Sequence, residues 1–287
     1  MKIFKVKSFC KINVSLRVLK KLKNGYHSIQ SLILFCNIFD LISFTQIHGS
    51  KDKIKFYGKF KKGINNKSNT VSKLLNLLRK KRLIKGKYFS IKIKKNIPHG
   101  SGLGGGSSNA AALLKFINFK MNLRLNLKEM EKIALKIGSD VPILLKTKNV
   151  LLTGKAEEIK RLNKKFKLNV LIVYPNLTCS TKKIYNNNRN FSLPQSKLDF
   201  NFKNKKILIN FLKNEKNDLQ ESAISFYPKI KTLINQLHMI EGCYFSRITG
   251  SGSACIAIFS NMSRAIAAQK LIKLKYPKYW TVVSKTI

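Results

Sequence analysis

Residues 98–111 read PHGSGLGGGSSNAA, a run with five glycines and three serines in its first eleven positions. Glycine loses more conformational freedom on folding than any other residue, so a plain surface turn rarely carries so many. The run follows the alternating pattern YFSIKIKK and precedes an alanine-rich helical pattern that Ser107 or Ser108 is expected to cap. The sequence therefore predicts a glycine-rich loop between a strand and a helix.

Such a loop places backbone N–H groups at a helix N-terminus, where the helix dipole favours phosphate. The hydroxyls of Ser107 and Ser108 can add contacts to phosphate or to Mg²⁺. A P-loop is excluded because no lysine precedes Ser107. Gly100, Gly102 and Gly105 match the dinucleotide fingerprint, but the preceding strands do not alternate with helices. A nicotinamide-dependent dehydrogenase and a purely structural turn are the alternatives.

The chain has 287 residues, and its 57 Lys or Arg against 12 Asp or Glu give a formal net charge of +45. Dense positive charge attracts nucleic-acid phosphates, so a nucleic-acid-binding protein is one hypothesis. The lysines are spread over the whole length with many Asn and Ile, and no helix-turn-helix, zinc-finger or RNP-type pattern is present. We therefore attribute the charge to AT-rich codon bias and expect no specific nucleic-acid partner, although the charge should attract anionic substrates.

The sequence also indicates the compartment. The N-terminus alternates charged and apolar residues and lacks the apolar core of a signal peptide, and Asn37 and Asp40 break the longest apolar run. The five cysteines are scattered and form no C-x-x-C pair, so we expect reduced thiols and no metal site in the protein itself. We expect a cytoplasmic protein that needs no membrane and is a monomer or a homodimer.

Apolar residues alternate along four segments of the first half and predict strands at 3–9, 12–18, 32–44 and 53–57. Leucines at helical spacing after Asn69, a candidate N-cap, predict the first helix. Asn126 and Glu129 resemble a capping box, and Gly138 stands where that later helix should stop. The polar stretch 154–168 predicts a boundary region.

Beyond that stretch the order of elements changes. The patterns predict a strand, a helix, two strands, a helix and a last strand, at 169–174, 228–240, 244–249, 254–259, 262–274 and 279–284. Pro228 and Asn261 support the starts of the two helices. This β-α-β-β-α-β order is the split βαβ layout of ferredoxin-like domains. The Asn- and Lys-rich segment 186–206 is predicted to be an exposed insertion.

The whole string P-x-G-x-G-L-G-G-G-S-S-N-A-A resembles the ATP-binding motif of the GHMP small-molecule kinases, such as galactokinase, homoserine kinase and mevalonate kinase. Four further stretches resemble motifs of one branch of that family, in the expected order over nearly the whole chain: CKINVSL, NGYHSIQSL, GSDVP and RITGSGSACIAIF. That branch uses ATP to phosphorylate the 2-hydroxyl of a cytidine-diphosphate-linked methylerythritol, in the non-mevalonate route to isoprenoid precursors.

The resemblance implies an α+β protein with two domains. It implies an N-terminal ATP-binding α/β domain like domain 2 of ribosomal protein S5 at 1–158 and a C-terminal ferredoxin-like βαββαβ domain at 159–287. It also implies a bacterial enzyme with ATP as phosphoryl donor, Mg²⁺ bound with the ATP, and CDP-methylerythritol as the small-molecule substrate. A mevalonate- or homoserine-type kinase is the alternative within the family, and the Gly-Tyr-His motif argues against it.

The resemblance assigns catalysis to Asp140 and Lys11. Phosphoryl transfer needs alignment, charge neutralisation and an acceptor for the hydroxyl proton. Asp140 is implied to be that general base, although the residue alone would suit a helix N-cap followed by Pro142. Lys11 is one of 57 basic residues and by itself would be a solvated strand lysine. The family motif places this lysine beside the aspartate, where it would keep the carboxylate ionised and stabilise charge on the attacking oxygen.

The resemblance also assigns binding residues. Two positions of the ATP-binding set, Asn69 and either Lys94 or Lys95, lie where the family contacts the adenine. The full ATP-binding set comprises Asn69, Lys95, Pro98, Gly100, Gly102, Leu103, Gly104, Gly105, Gly106, Ser107 and Ser108. The substrate-binding set comprises Asn13, Tyr26, His27, Thr181, Tyr185, Gly250, Ser251 and Gly252. An aromatic ring offers the cytosine a stacking face and an imidazole offers its edge hydrogen bonds. The second glycine loop, 250–253, is implied to contact the diphosphate or to close over the substrate. The alternative is that it is only a tight hairpin turn.

Two positions depart from the family pattern. His99 stands where the family has Met or a small apolar residue, and Phe9 and Cys10 replace the common Pro-Ala before the lysine. Neither departure touches a proposed catalytic group, so both concern the packing of the loop rather than the type of reaction.

Overall fold

The structure is a computed structural model that describes residues 2–155, 158–196 and 200–287. Residues 156–157 of the predicted boundary stretch and 197–199 of the predicted insertion therefore lie outside the described residues. The chain divides into two compact units that interleave along the sequence. The first unit comprises Met1–Cys10, Ile38–His99 and Gly104–Thr147, and the second comprises Lys11–Asn37, Gly100–Leu103 and Lys148–Ile287. The domain boundary expected at 158/159 stays a prediction.

Two long strands, β1 (Phe4–Asn13) and β3 (His27–Ile47), pair with each other and contribute residues to both units. In the first unit, β3 also pairs antiparallel with β5 (Tyr88–Lys94), and β5 pairs parallel with β4 (Lys53–Tyr57). Every second residue of β5 is fully buried, namely Phe89, Ile91 and Ile93. This period of two is the one that the sequence predicted.

The first unit also holds three helices and a short 3-10 helix at Ile143–Leu145, where the helices are α1 (Thr70–Lys80), α2 (Gly105–Lys120) and α3 (Leu127–Leu135). Asn69 caps α1 by accepting hydrogen bonds from two first-turn amides. Asn126 and Glu129 form the predicted capping box of α3, and the Gly138 amide donates to Ala134 as that helix ends. These predictions are confirmed because caps depend on local sequence alone.

The start of α2 differs from the prediction. Gly104, not a serine, is the N-cap residue, with a φ of 70° and no side-chain cap. Ser107 and Ser108 lie inside the first turn, and the Ser108 hydroxyl donates to the carbonyl of Phe9 at 2.5 Å. The serine-cap prediction is therefore wrong, because only glycine readily adopts the left-handed conformation in which this loop enters the helix.

In the second unit, the first part of β3 pairs with β2 (Arg17–Lys21) and with β6 (Val150–Gly154), which pairs in turn with β7 (Glu158–Arg161). Neither β6 nor β7 was predicted from the sequence. The separate strand predicted at 12–18 is wrong, because β1 continues to Asn13 and β2 begins at Arg17.

The second unit also contains the expected split βαβ arrangement. Its four strands are β8 (Asn169–Tyr174), β9 (Cys243–Ile248), β10 (Cys255–Phe259) and β11 (Trp280–Lys285). They form an antiparallel sheet in the order β11-β8-β10-β9. The two predicted helices are α7 (Lys229–Met239) and α8 (Met262–Lys275), and they pack on this sheet. The ferredoxin-like layout is confirmed.

Among the described residues between β8 and α7, the second unit has three more helices, none of which was predicted: α4 (Thr181–Asn186), α5 (Lys205–Asn214) and α6 (Gln220–Phe226). The prediction of an exposed insertion at 186–206 is wrong at Phe200 and Phe202, which are 4% and 3% exposed. Both rings pack against the ring of Phe211, with centroids 5.3 and 5.0 Å from it. Among the described helices, none is both long and apolar enough to cross a bilayer.

Candidate active site

The second part of the glycine-rich loop opens α2 in the first unit. The first-turn amides of a helix have no acceptor within the helix, so the N–H groups of Gly105, Gly106 and Ser107 have no partner in α2 itself. A Cβ on Gly105 would lie 3.0 Å from Cγ2 of Ile97. The carbonyl of Gly106 accepts a hydrogen bond from the Thr70 hydroxyl at 2.7 Å, which fixes the loop to the start of α1.

A buried polar cluster lies at the base of this loop, and it consists of Asp40, Lys95 and Asn109. One carboxylate oxygen of Asp40 accepts from Asn109 Nδ2 at 2.8 Å and from the ammonium of Lys95. The other accepts from the backbone amides of Asn96 and Ile97 at 2.8 and 2.9 Å. Asp40 therefore joins β3 to the chain that leaves β5 and to α2, on the two sides of the loop.

The ammonium of Lys95 is inside the protein, where the residue is only 2% exposed. Burial lowers the pKa of Lys95, and the adjacent Asp40 carboxylate opposes this effect. The side chain of Lys95, paired with Asp40, therefore holds the base of the glycine-rich loop in place. From the sequence, Asp40 stood out only as a break in an apolar run. A lone carboxylate in such a run is the signal that could have identified it as part of the site.

The predicted adenine contacts stay predictions. The Asn69 side chain is occupied by its capping role, with its amide nitrogen donating to the carbonyls of Asn65 and Asn66. Lys94, the alternative to Lys95, is exposed. Pro98 is buried and His99 is exposed at the entrance of the loop.

The first part of the loop, 100–103, belongs to the second unit and packs on the second glycine loop. A Cβ on Gly102 would lie 2.3 Å from the carbonyl oxygen of Thr249 and 3.2 Å from that of Gly252. The Ala254 amide donates to the carbonyl of Ser101 at 3.1 Å. The structure thus brings together two glycine-rich stretches that the sequence separates widely.

Lys11 and Asn13 lie beside these two stretches in the second unit. Lys11 Nζ donates to Asn13 Oδ1 at 2.6 Å, and the Lys11 amide donates to the Leu103 carbonyl at 3.1 Å. The Asn13 amide donates to the Thr249 hydroxyl at 2.8 Å. A Cβ on Gly250 would lie 3.4 Å from both Lys11 Nζ and Asn13 Oδ1. Lys11 is 5% exposed, so the alternative of a solvated strand lysine is wrong.

Asp140 lies in the first unit, in the turn between α3 and the short 3-10 helix. It is half-buried, and the Val141 amide donates to the carbonyl of Gly138 across this turn at 3.1 Å. The N-cap residue of the 3-10 helix is Pro142, which makes no side-chain cap. A capping role for Asp140 and its role as general base therefore both stay predictions.

Four of the predicted substrate-binding residues form two pairs in the second unit. His27 and Tyr185 lie together, with ring centroids 5.2 Å apart and planes tilted by 41°. Burial, followed by the charge of Lys21, lowers the pKa of His27. The hydroxyls of Thr181 and Ser251 are 3.0 Å apart, which links α4 to the second glycine loop. Tyr26 is 65% exposed.

The comparisons with known proteins agree with this geometry. Residues 69–147 match the family model described as the GHMP kinases N terminal domain, and residues 201–278 match the model of the GHMP kinases C terminal. A crystal structure of 4-(cytidine 5'-diphospho)-2C-methyl-D-erythritol kinase shares the fold, with a TM-score of 0.79 at 22% identity over 99% of both chains. The fold and the two glycine loops define a GHMP kinase, a class of small-molecule kinases that use ATP as phosphoryl donor.

Full-length relatives narrow the class. The chain is 39% identical over 288 residues to the 4-diphosphocytidyl-2-C-methyl-D-erythritol kinase of Pelagibacter ubique (strain HTCC1062), and the match covers 100% of both chains. The enzyme of the same name from Wolbachia pipientis wMel is 37% identical over 297 residues, again over 100% of both chains. The protein belongs to the family of 4-diphosphocytidyl-2-C-methyl-D-erythritol kinases.

Proposed function

We propose that the protein transfers the γ-phosphoryl group of ATP to the 2-hydroxyl of 4-diphosphocytidyl-2-C-methyl-D-erythritol, giving the 2-phosphate and ADP. One observation carries the proposal: the buried ammonium of Lys11 lies with Asn13 beside the second glycine loop, which itself packs on the first. A fixed positive charge at a backbone-lined loop stabilises the charge of a reacting alkoxide and phosphoryl group. The names of the full-length relatives supply the substrate.

We propose that ATP binds through the start of α2. The amides of Gly105, Gly106 and Ser107 and the dipole of this 16-residue helix favour the negative phosphates. The cluster of Asp40, Lys95 and Asn109 holds the loop in place before ATP arrives, so less entropy is lost on binding.

Mg²⁺ fits this loop as an ion carried by ATP. Within the described ranges no group of three His, Cys, Asp or Glu side chains could hold a metal ion. Mg²⁺ often keeps few protein ligands and binds largely through substrate phosphates and water. The hydroxyl of Ser107, in the first turn of α2, is the candidate protein ligand, because the Ser108 hydroxyl donates to Phe9. When bound, Mg²⁺ neutralises charge on the transferred phosphoryl group.

We assign the chemistry of the acceptor to Asp140 and Lys11. The substrate oxygen forms a bond to the γ-phosphorus, the bond from that phosphorus to the ADP oxygen breaks, and the hydroxyl proton passes to the Asp140 carboxylate. Lys11 stabilises negative charge on the attacking oxygen, and Asn13 holds the Lys11 ammonium by the hydrogen bond at 2.6 Å. Asn13 is itself fixed, because its Nδ2 donates to the Ser31 hydroxyl at 2.7 Å.

We propose that His27 and Tyr185 bind the cytidine end of the substrate. Tyr185 offers a ring face for stacking, and a neutral His27 offers one donor and one acceptor to the edge of the base. Thr181 and Ser251 add hydroxyls on the same unit. A cytoplasmic location and a monomeric or homodimeric state remain predictions, which fractionation and light scattering would test.

A coupled ADP-release assay with Mg-ATP tests the function. The protein should turn over 4-diphosphocytidyl-2-C-methyl-D-erythritol and leave mevalonate, homoserine and free methylerythritol unused. Turnover of mevalonate or homoserine in its place would contradict the substrate but not the kinase. Absence of any ADP release, together with nucleic-acid binding that persists at physiological salt, would instead favour the hypothesis based on the charge.

A further inference from the structure

Asn217 is a buried amide that the assignments above leave unused. It lies between α5 and α6 and is 4% exposed. Its Nδ2 donates to the carbonyls of Ile248 and Gly250 at 3.1 and 2.9 Å. Its Oδ1 accepts from the Leu219 amide at 3.0 Å, just before α6 begins. The Asn217 side chain thus donates to the end of β9 and to the second glycine loop, and it separately accepts from a helix start.

The backbone around Asn217 is held firmly, so its amide has a defined position. The Leu16 amide donates to the Lys216 carbonyl at 3.0 Å, and the Asp218 amide donates to the Leu16 carbonyl at 2.8 Å. The Asp218 carboxylate also accepts from the Val18 amide at 2.8 Å. These bonds fasten the segment 216–218 to the chain that directly follows Lys11 and Asn13.

One of the two carbonyls that Asn217 holds belongs to Gly250, the more crowded of the two glycines in the second glycine loop. Gly250 has a φ of +58°, and a Cβ there would lie 3.2 Å from the Gly102 carbonyl and 3.4 Å from Lys11 Nζ. A shift of this residue would therefore change how the second glycine loop fits against Gly102 and Lys11. Misplacement by about 1 Å can cost a factor of about 100 in rate.

We propose that Asn217 is a positioning residue for phosphoryl transfer: its two donated hydrogen bonds set the second glycine loop against Gly102 and Lys11. The inference rests on the proposed function and extends it to a residue outside the catalytic and binding residues assigned above. Asn217 acts through the loop, so its loss should lower kcat more than it weakens nucleotide binding.

The test compares Asn217→Asp with Asn217→Ala. The aspartate keeps an oxygen for the Leu219 amide but cannot donate to the two carbonyls, whereas alanine loses both contacts. We expect both variants to lower kcat by about 10- to 100-fold. Calorimetry with a non-hydrolysable ATP analogue should give a Kd within threefold of the wild-type value and an unchanged number of sites. The matched control is Asn214→Asp, an equal change of charge at an exposed position in α5.

An Asn217→Asp variant with the kcat of the control would overturn the proposal, and would mean that only the helix contact matters. Recovery of the variant unfolded while the control folds would also overturn it, in favour of a purely structural role.

A second measurement does not depend on turnover. The chain has 15 glycines, so a spectrum with ¹⁵N-labelled glycine is simple. Asn217→Asp should shift the signals of Gly102 and Gly250, and Asn214→Asp should leave them in place. An inactive wild-type protein would contradict the proposed function alone, whereas unshifted signals would contradict the positioning role alone.

Discussion

The backbone of Gly102 lies directly against that of Thr249, so that a Cβ on Gly102 would stand 2.3 Å from the Thr249 carbonyl oxygen. Real Cβ atoms do not approach this closely, and Gly102 also has a φ of +83°. The first glycine loop and the second therefore meet backbone to backbone, and Gly102 is the residue that permits this contact.

Gly102→Ala should reduce both stability and activity, because alanine adds a clash with backbone to the strain of a left-handed conformation. The control is Gly86→Ala, where φ is +69° but nothing lies within 4 Å of the added carbon. The control should lose only about 1–2 kcal/mol of stability, which is the cost of placing alanine in a left-handed conformation. Urea unfolding and the ADP-release assay measure both effects. Equal losses of stability in the two variants would contradict the close contact.

Asp140→Asn should lower kcat by about 10²- to 10⁴-fold, because the amide cannot accept the hydroxyl proton. Binding of an ATP analogue should stay close to that of the wild type. Glu221→Gln removes one negative charge at an exposed position of α6 and should keep full activity. A rate near that of the wild type for Asp140→Asn would show that another group takes the proton.

Lys11→Ala should lower kcat by about 10²- to 10³-fold, because the buried charge beside the second glycine loop is lost. Lys73→Ala, at an exposed position of α1, removes the same charge and should leave the rate unchanged. Steady-state kinetics with both substrates varied separates kcat from KM. A rise of KM at constant kcat would assign Lys11 to substrate binding alone.

Asp40→Asn should destabilise the protein by about 3–5 kcal/mol, because the buried ammonium of Lys95 loses its counter-charge. Adding Lys95→Met should recover much of this loss, since methionine fills similar space without a charge. Denaturant unfolding of the single and double variants gives the coupling between the two residues. Additive losses in the double variant would contradict a buried ion pair.

The lowered pKa of His27 predicts a pH dependence of stability. The unfolded chain binds a proton at the ordinary value near 6.5, and the folded chain binds it only at lower pH. Stability from the neutral ring is therefore complete above about pH 6.5 and falls as the pH drops through the lower, native value. NMR can titrate the four histidines, and the signal that is lost in His27→Gln is that of His27. The same variant is the control for stability, because its unfolding free energy should depend less on pH. A native pKa above 6.5 would reverse the sign.

Elements whose signals are local were predictable. The Asn69 and Asn126 caps, the alternation along β5 and the ferredoxin-like order of the last strands are all fixed by residues close in sequence. Several of the missed elements are too short to carry a clear local pattern. β6 and β7 are short strands of four or five residues, and α6 has seven residues, so tertiary packing decides their conformation.

The residues of the proposed site were only partly predictable from the sequence. Motifs named the glycines, Lys11, Asp140 and Asn13, because phosphate loops and phosphoryl transfer restrict the residue types. No motif indicated Asp40 or Asn217, whose importance depends on what they contact after folding.

The sequence by itself determined the family of kinases to which this protein belongs, and it predicted a loop that binds phosphate and the residues that carry the reaction. Only the tertiary structure decided that Lys95 is paired with Asp40 inside the protein, that Gly104 rather than a serine begins α2, and that Gly102 packs on Thr249. The physical reason is that burial and close backbone approach arise between residues far apart in the chain. A sequence shows which side chains are available, but burial and desolvation exist only once the chain has packed.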